Sequence, residues 1–214
     1  MTTKILSLKD YYLDKNGWFV RKNPWIKRFK YLITILCLFV IFVPNQSARS
    51  YIQTNLMQHE VTPTVKDVVY FEYIKKQNES LTNSEVINII KSSLKWGDEF
   101  GVDEKMILAI MTVESKFNYH AISSAGALGL MQIVPKWHLS KIVEARAKLG
   151  NPELFDPNTN IFMGTWIYKE CLTKFKNKEN ALLCYNGSNE MPNGYDKKVL
   201  IAYNDISGLI KQVK

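Results

Sequence analysis

From Thr82 to the carboxy terminus, apolar residues recur every three or four positions between residues that start and stop helices, with no comparable run of strict alternation. Such a chain buries its apolar faces by packing helix on helix, so the spacing predicts an all-α (mainly α) domain over residues 81–214. Thr82-Asn83-Ser84-Glu85 has the capping-box pattern ahead of Val86, Ile89, Ile90 and Leu94, and Gly101 is a stop signal. Asp103 caps a second helix expected to run to about Phe117, and the small residues from Ala121 to Gly129 make a loop. Further helices are predicted at about Pro135 to Leu149, at Asn158 to Phe175 after the Asp156-Pro157 start, at Lys178 to Tyr185, and from Tyr195 onward.

Ahead of this domain the composition changes. The 214-residue chain has a formal net charge of +8, yet residues 1–30 hold eight Lys or Arg against two Asp, so the basicity belongs to the amino-terminal arm. A basic domain would suggest nucleic acid; a basic arm beside an apolar run suggests a membrane surface instead. The run, Tyr31 to Val43, follows Arg21, Lys22, Lys27, Arg28 and Lys30, whereas Arg49 is the only base between it and Lys66. That asymmetry places the amino terminus in the cytoplasm and everything after the run on the exported side. The expected organisation is a basic cytoplasmic arm over 1–30, a single-pass anchor in the inner (cytoplasmic) membrane over 31–48, and a polar tether over 49–80 that holds a short helix near Val68 to Lys76. The thirteen residues of the run also fit a cleaved signal peptide or a buried helix, alternatives that length alone leaves open.

Cys37 lies in the apolar run, which leaves Cys171 and Cys184 as an exported pair that can form a disulfide or serve as two small core residues. His59, His120 and His138 lack ligand-like spacing or acidic company, and there is no phosphate loop, so neither metal nor cofactor is expected.

On the second helix Ile107, Ile110, Met111 and Glu114 stand at i, i+3, i+4 and i+7, which puts the Glu114 carboxylate on the apolar stripe. Burial disfavours the charged form and raises a carboxyl pKa above its free value of about 4.3, as a proton donor near neutrality requires. The alternative is a helix-end glutamate that reaches solvent or pairs with a lysine.

The stretch Glu114-Ser115-Lys116-Phe117, continued by Ala121-Ile122-Ser123-Ser124-Ala125-Gly126-Ala127-Leu128-Gly129-Leu130-Met131-Gln132-Ile133-Val134-Pro135, resembles the first two motifs of the soluble-lytic-transglycosylase family. Leu154 to Ile161 followed by Gly164 is similar to the family's next segment, and Cys184-Tyr185-Asn186-Gly187 to its Tyr-Asn-Gly motif. Four motifs in order on a helical pattern, over about residues 82–205, make a specific signal.

The resemblance implies a lysozyme-like helical fold and cleavage of the β-1,4 bond between N-acetylmuramic acid and N-acetylglucosamine in peptidoglycan glycan strands. It also implies a 1,6-anhydro product, closed by the muramic acid's own 6-hydroxyl. An internal nucleophile needs one carboxyl that first gives and then takes a proton, whereas hydrolytic glycosidases need two. The resemblance casts Glu114 as that group, and Asp98, Glu99, Asp103, Glu104 and Asp156 read better as caps or solvent residues. It likewise assigns substrate binding to Ser115, Met131, Gln132, Tyr185, Asn186 and Tyr195, with Gly126 and Gly129 allowing close backbone approach; the alternatives are a helix-end serine, a tight turn at the glycines, a helix ending in Asn-Gly and, where the match is weaker, a core tyrosine at 195.

Cys184 and Ser188 depart from the Ala and the small residues usual beside the Tyr-Asn-Gly motif, which bears on local packing. Trp137, Trp166 and Tyr168 are either sugar-stacking or core aromatics. Two other functions stay open at this stage: a muramidase that uses water, and a non-catalytic wall-binding scaffold. Secretion, conjugation or phage machinery as a partner is not legible in the residues.

Overall fold

The computed structural model describes residues 11–13, 19–21, 64–150, 153–187 and 194–212, and the chain divides into two units, Met1–Thr64 and Val65–Lys214. In the first unit, β1 (Tyr11–Leu13) and β2 (Phe19–Arg21) pair antiparallel, with Tyr12 opposite Val20. No strand was expected in this arm. Aromatic and branched residues in both strands suit the pairing. The anchor expected over 31–48 lies outside the described residues, as does the tether as far as residue 63. Among the described residues no helix is long and apolar enough to cross a membrane.

The second unit is helical: α1 (Val65–Gln77), α2 (Asn83–Phe100), α3 (Glu104–Glu114), α4 (Leu139–Leu149), α5 (Pro157–Phe175), α6 (Lys178–Tyr185) and α7 (Tyr195–Gln212). The capping box forms as the sequence predicts: Glu85 N–H donates to the Thr82 hydroxyl, and Thr82 N–H donates to the Glu85 carboxylate. The stretch from Pro135 to Leu149 is two pieces, because a 3-10 turn over Pro135–Trp137 ends at His138 before α4 begins.

Two helices make the centre. Met106 to Met111 are buried without interruption in α3, and α5 buries Thr159 to Thr165 together with Ile167, Tyr168 and Cys171. A helix hydrophobic nearly all round must be enclosed by others, and α3 packs on α2, α5 and α7, while α5 packs on α2, α4 and α6. Trp166 belongs to an aromatic cluster with Phe100 and Phe162, so it serves packing.

The compact unit starts at Val65, ahead of residue 81 where the sequence pattern places it. Tyr70 and Ile74 of α1 are fully buried, and the Tyr70 hydroxyl donates to Glu104 Oε1 at 2.8 Å. Tyr73 reaches Thr112 Oγ1 at 3.1 Å and sets the edge of its ring against Phe117, centroids 6.3 Å apart. Val68, Tyr70, Phe71, Tyr73 and Ile74 are the buried face of α1, which packs on α2 and α7.

Candidate active site

Glu114 is the last residue of α3, which ends there and not near Phe117 because Lys116 and Phe117 take φ of 50° and 60°. Four non-glycine residues among those described have positive φ, and Gln132 is the third of them beside this site. Such conformations persist only where surrounding contacts over-determine them. Phe117, fully buried, is held in that way.

The half-buried Glu114 carboxyl accepts a hydrogen bond from the Tyr195 hydroxyl at 2.6 Å. Desolvation raises its pKa to about 6 against the lowering effect of that bond. No acidic neighbour among the described residues contributes to the rise. Burial, reinforced by Glu114, pushes the hydroxyls of Tyr185 and Tyr195 well above their ordinary range, so both stay donors.

Facing Glu114's helix end is a strap, residues 126–133, pinned by short bridges of Leu128 to Ile122 and Ile133. The other sequence-predicted residues converge on it. Ser115 Oγ donates to Leu130 O at 2.8 Å, Tyr185 Oη to Met131 O at 2.6 Å, and Gln132 Nε2 to Gly129 O at 2.9 Å. Met131 itself is fully buried, so what it presents towards Tyr185 is its carbonyl. Asn186 caps the end of α6 immediately after Tyr185. Ser115, Met131, Gln132 and Tyr185 are thus tied together by hydrogen bonds on the strap, Glu114 and Tyr195 form a bonded pair that adjoins it through Ser115, and Asn186 follows Tyr185. A carboxyl whose pKa burial raises to about 6, beside two tyrosine hydroxyls that stay protonated, suits proton transfer to a bound oxygen.

Asn160 lies in the Leu154–Ile161 segment that the sequence singles out, but sequence reasoning assigns it no role. It is completely buried on α5, accepts from Met131 N–H at 2.7 Å, and donates through Nδ2 to Leu128 O at 2.9 Å and Leu154 O at 2.7 Å. The available signal was a poor helix former in an apolar stretch, a few residues inside a helix start. A side chain at Gly129, φ 77°, would collide with this amide at 2.3 Å. Of the remaining aromatics, Trp137 is 64% exposed, and Tyr168 is buried against the Tyr185 ring.

A family model described as Transglycosylase SLT domain matches residues 91–214. The chain is 37% identical over 122 residues to Membrane-bound lytic murein transglycosylase C of Serratia proteamaculans, covering 56% of this chain and 31% of that protein. It is 38% identical over 118 residues to the protein of the same name from Cronobacter sakazakii, covering 54% of this chain and 30% of that one. The chain therefore spans about a third of the length of these curated relatives. An X-ray structure of an inactive mutant of the lytic transglycosylase Slt from Pseudomonas aeruginosa is 22% identical with a TM-score of 0.40, over 67% of this chain and 26% of that one. With the family model covering more than half of its length, this chain belongs to the transglycosylase SLT domain family.

Proposed function

We propose that this protein is a peptidoglycan lytic transglycosylase in which Glu114 is both general acid and general base. The observation that carries the reading is a half-buried carboxyl, raised to about 6 by burial with no acidic neighbour among the described residues contributing, beside the Tyr185–Met131–Ser115 frame. Family membership and relatives named as lytic murein transglycosylases support it.

Protonated Glu114 gives its proton to the glycosidic oxygen as the bond from muramic acid C1 breaks. The 6-hydroxyl of the same sugar then attacks C1 and its proton passes to the Glu114 carboxylate, which restores the acid without consuming water. Tyr195, held as a donor, steadies the carboxylate between these steps. Ser115, Gln132 and Asn186, with the Met131 strap and Tyr185, position the amino sugars.

The relatives' names include "membrane-bound", and the basic arm and apolar run of this chain fit tethering to the inner membrane with the catalytic unit on the wall side. The test is mass analysis of soluble products from purified peptidoglycan treated with the protein and with its Glu114→Gln variant. Anhydromuramic ends from the parent alone are expected. Reducing ends would instead assign a hydrolase, and wall binding without products a scaffold.

A further inference from the structure

One stripe of α5 holds both halves of the frame. Asn160, Gly164, Tyr168 and Cys171 stand at i, i+4, i+8 and i+11, so they share a face over three turns. Asn160 bonds the Met131 backbone, and Gly164 lies so close to the Met131 side chain that a Cβ there would meet its sulfur at 2.4 Å. Tyr168 sets its ring edge-on to Tyr185, centroids 6.3 Å apart, and Cys171 forms a disulfide with Cys184. The same face therefore fixes the acceptor, Met131 O, and the element that carries its donor, Tyr185.

The donor's helix is the weaker half. α6 has eight residues, of which Ala181 and Leu182 are buried, and a helix that short has little stability of its own. Cys184 directly precedes Tyr185, so the covalent link acts on the turn from which the Tyr185 hydroxyl reaches 2.6 Å to Met131 O. Tyr185 also interacts electrostatically with Glu114, which places the two side chains in one neighbourhood.

The geometry points to the Cys171–Cys184 disulfide as a positioning device for the active site: it clamps the last turn of α6 so that Tyr185 stays on the Met131 strap, and it makes the enzyme thiol-sensitive. Opening the bond with a dithiol breaks S–S, forms two cysteine S–H groups and oxidises the dithiol to its own disulfide. Tyr185 then loses its register and water reaches Glu114. The inference rests on the transglycosylase reading for its kinetic consequence, but its effect on Glu114 can be read without turnover.

The experiment compares the full chain oxidised, the full chain treated with dithiothreitol, and the Cys171→Ala/Cys184→Ala double variant, which keeps Cys37. Measured are kcat and KM for release of soluble glycan across pH, the Glu114 carboxyl titration by carbon NMR, and far-UV circular dichroism at the assay temperature. Expected are a loss of roughly tenfold in kcat with KM nearly unchanged, a Glu114 titration moved below about 6, retained helicity, and a double variant that shows both changes and ignores dithiothreitol. Unchanged kcat and titration after reduction would overturn the clamp, as would a loss of activity that merely follows loss of helicity. An oxidised parent that releases no glycan while its Glu114 titration still moves on reduction would reject the transglycosylase reading and leave the clamp standing.

Discussion

The Tyr195 hydroxyl, at the first turn of α7, donates to Glu114 Oε1 at the last residue of α3, 2.6 Å away across 81 residues of sequence. The bond joins two helices that pack closely on each other. It also opposes the effect of burial on that carboxyl, so its removal has a defined sign.

Tyr195→Phe takes away a donor that favours the charged carboxylate. The Glu114 pKa then rises above about 6, and the alkaline limb of the pH–rate profile moves to higher pH. A fall in kcat of roughly tenfold accompanies the shift, since the carboxyl is less well oriented. A limb that stays in place or moves to lower pH would contradict this account of the bond.

Glu114→Gln removes cleavage, and its effect on stability depends on pH. The folded pKa, about 6, lies above the ordinary 4.5, so the favourable burial of the neutral carboxyl is fully present below 4.5 and is lost as pH rises through 6. A shift of that size corresponds to about 2 kcal/mol at most, less where solvent screens the half-buried group. The variant is expected to be more stable than the parent at pH 7 and close to it at pH 4.5, as read by urea unfolding at the two pH values.

Asn160→Ala leaves Met131 N–H and Leu154 O without the bonds they make in the buried interior, while Leu128 O keeps the one from Ile133 N–H. Each unsatisfied group costs roughly 1–3 kcal/mol. Midpoints of chemical unfolding should fall by several kcal/mol in free energy, with activity lost in the fraction that stays folded. Asn160→Asp fares no better near neutrality, because a carboxylate cannot donate to two carbonyls.

Tyr73→Phe tests whether α1 supports the helix that carries Glu114. Thr112 gives its own hydrogen to Leu108 O at 2.9 Å, so Tyr73 is the donor of their shared bond, and the substitution removes it while keeping the ring against Phe117. A loss of about 1 kcal/mol is expected. Tyr73→Ala, which also opens a cavity beside Phe117, should cost roughly 3–5 kcal/mol and lower kcat more than it raises KM. Wild-type kinetics in a folded Tyr73→Ala protein would show that α1 is dispensable to the site.

Local pattern carried most of the fold because its signals lie within a few residues of what they specify. Thr82 and Glu85 cap α2 through bonds three residues apart, Asp156 accepts from Thr159 N–H at the start of α5, and the ends of α5 and α6 fall where the sequence places them. Glu114 was legible for the same reason: its place on an apolar stripe is a matter of helical period, and the motifs after it are contiguous. Composition likewise confined the basic charge to the arm.

Tertiary structure decided what no local signal encodes. Two cysteines are a pair in sequence and a bond only once α6 folds back on α5, which brings their Cα atoms to 5.8 Å. Met131 looks like a groove residue until Gly164 admits its side chain to the core and leaves its carbonyl to Tyr185. Asn160 and Tyr73 gain their roles from partners 29 and 39 residues away. Periodicity fixes which face of a helix is apolar, whereas the choice of what meets that face depends on long-range packing, and the site is built almost entirely from such meetings.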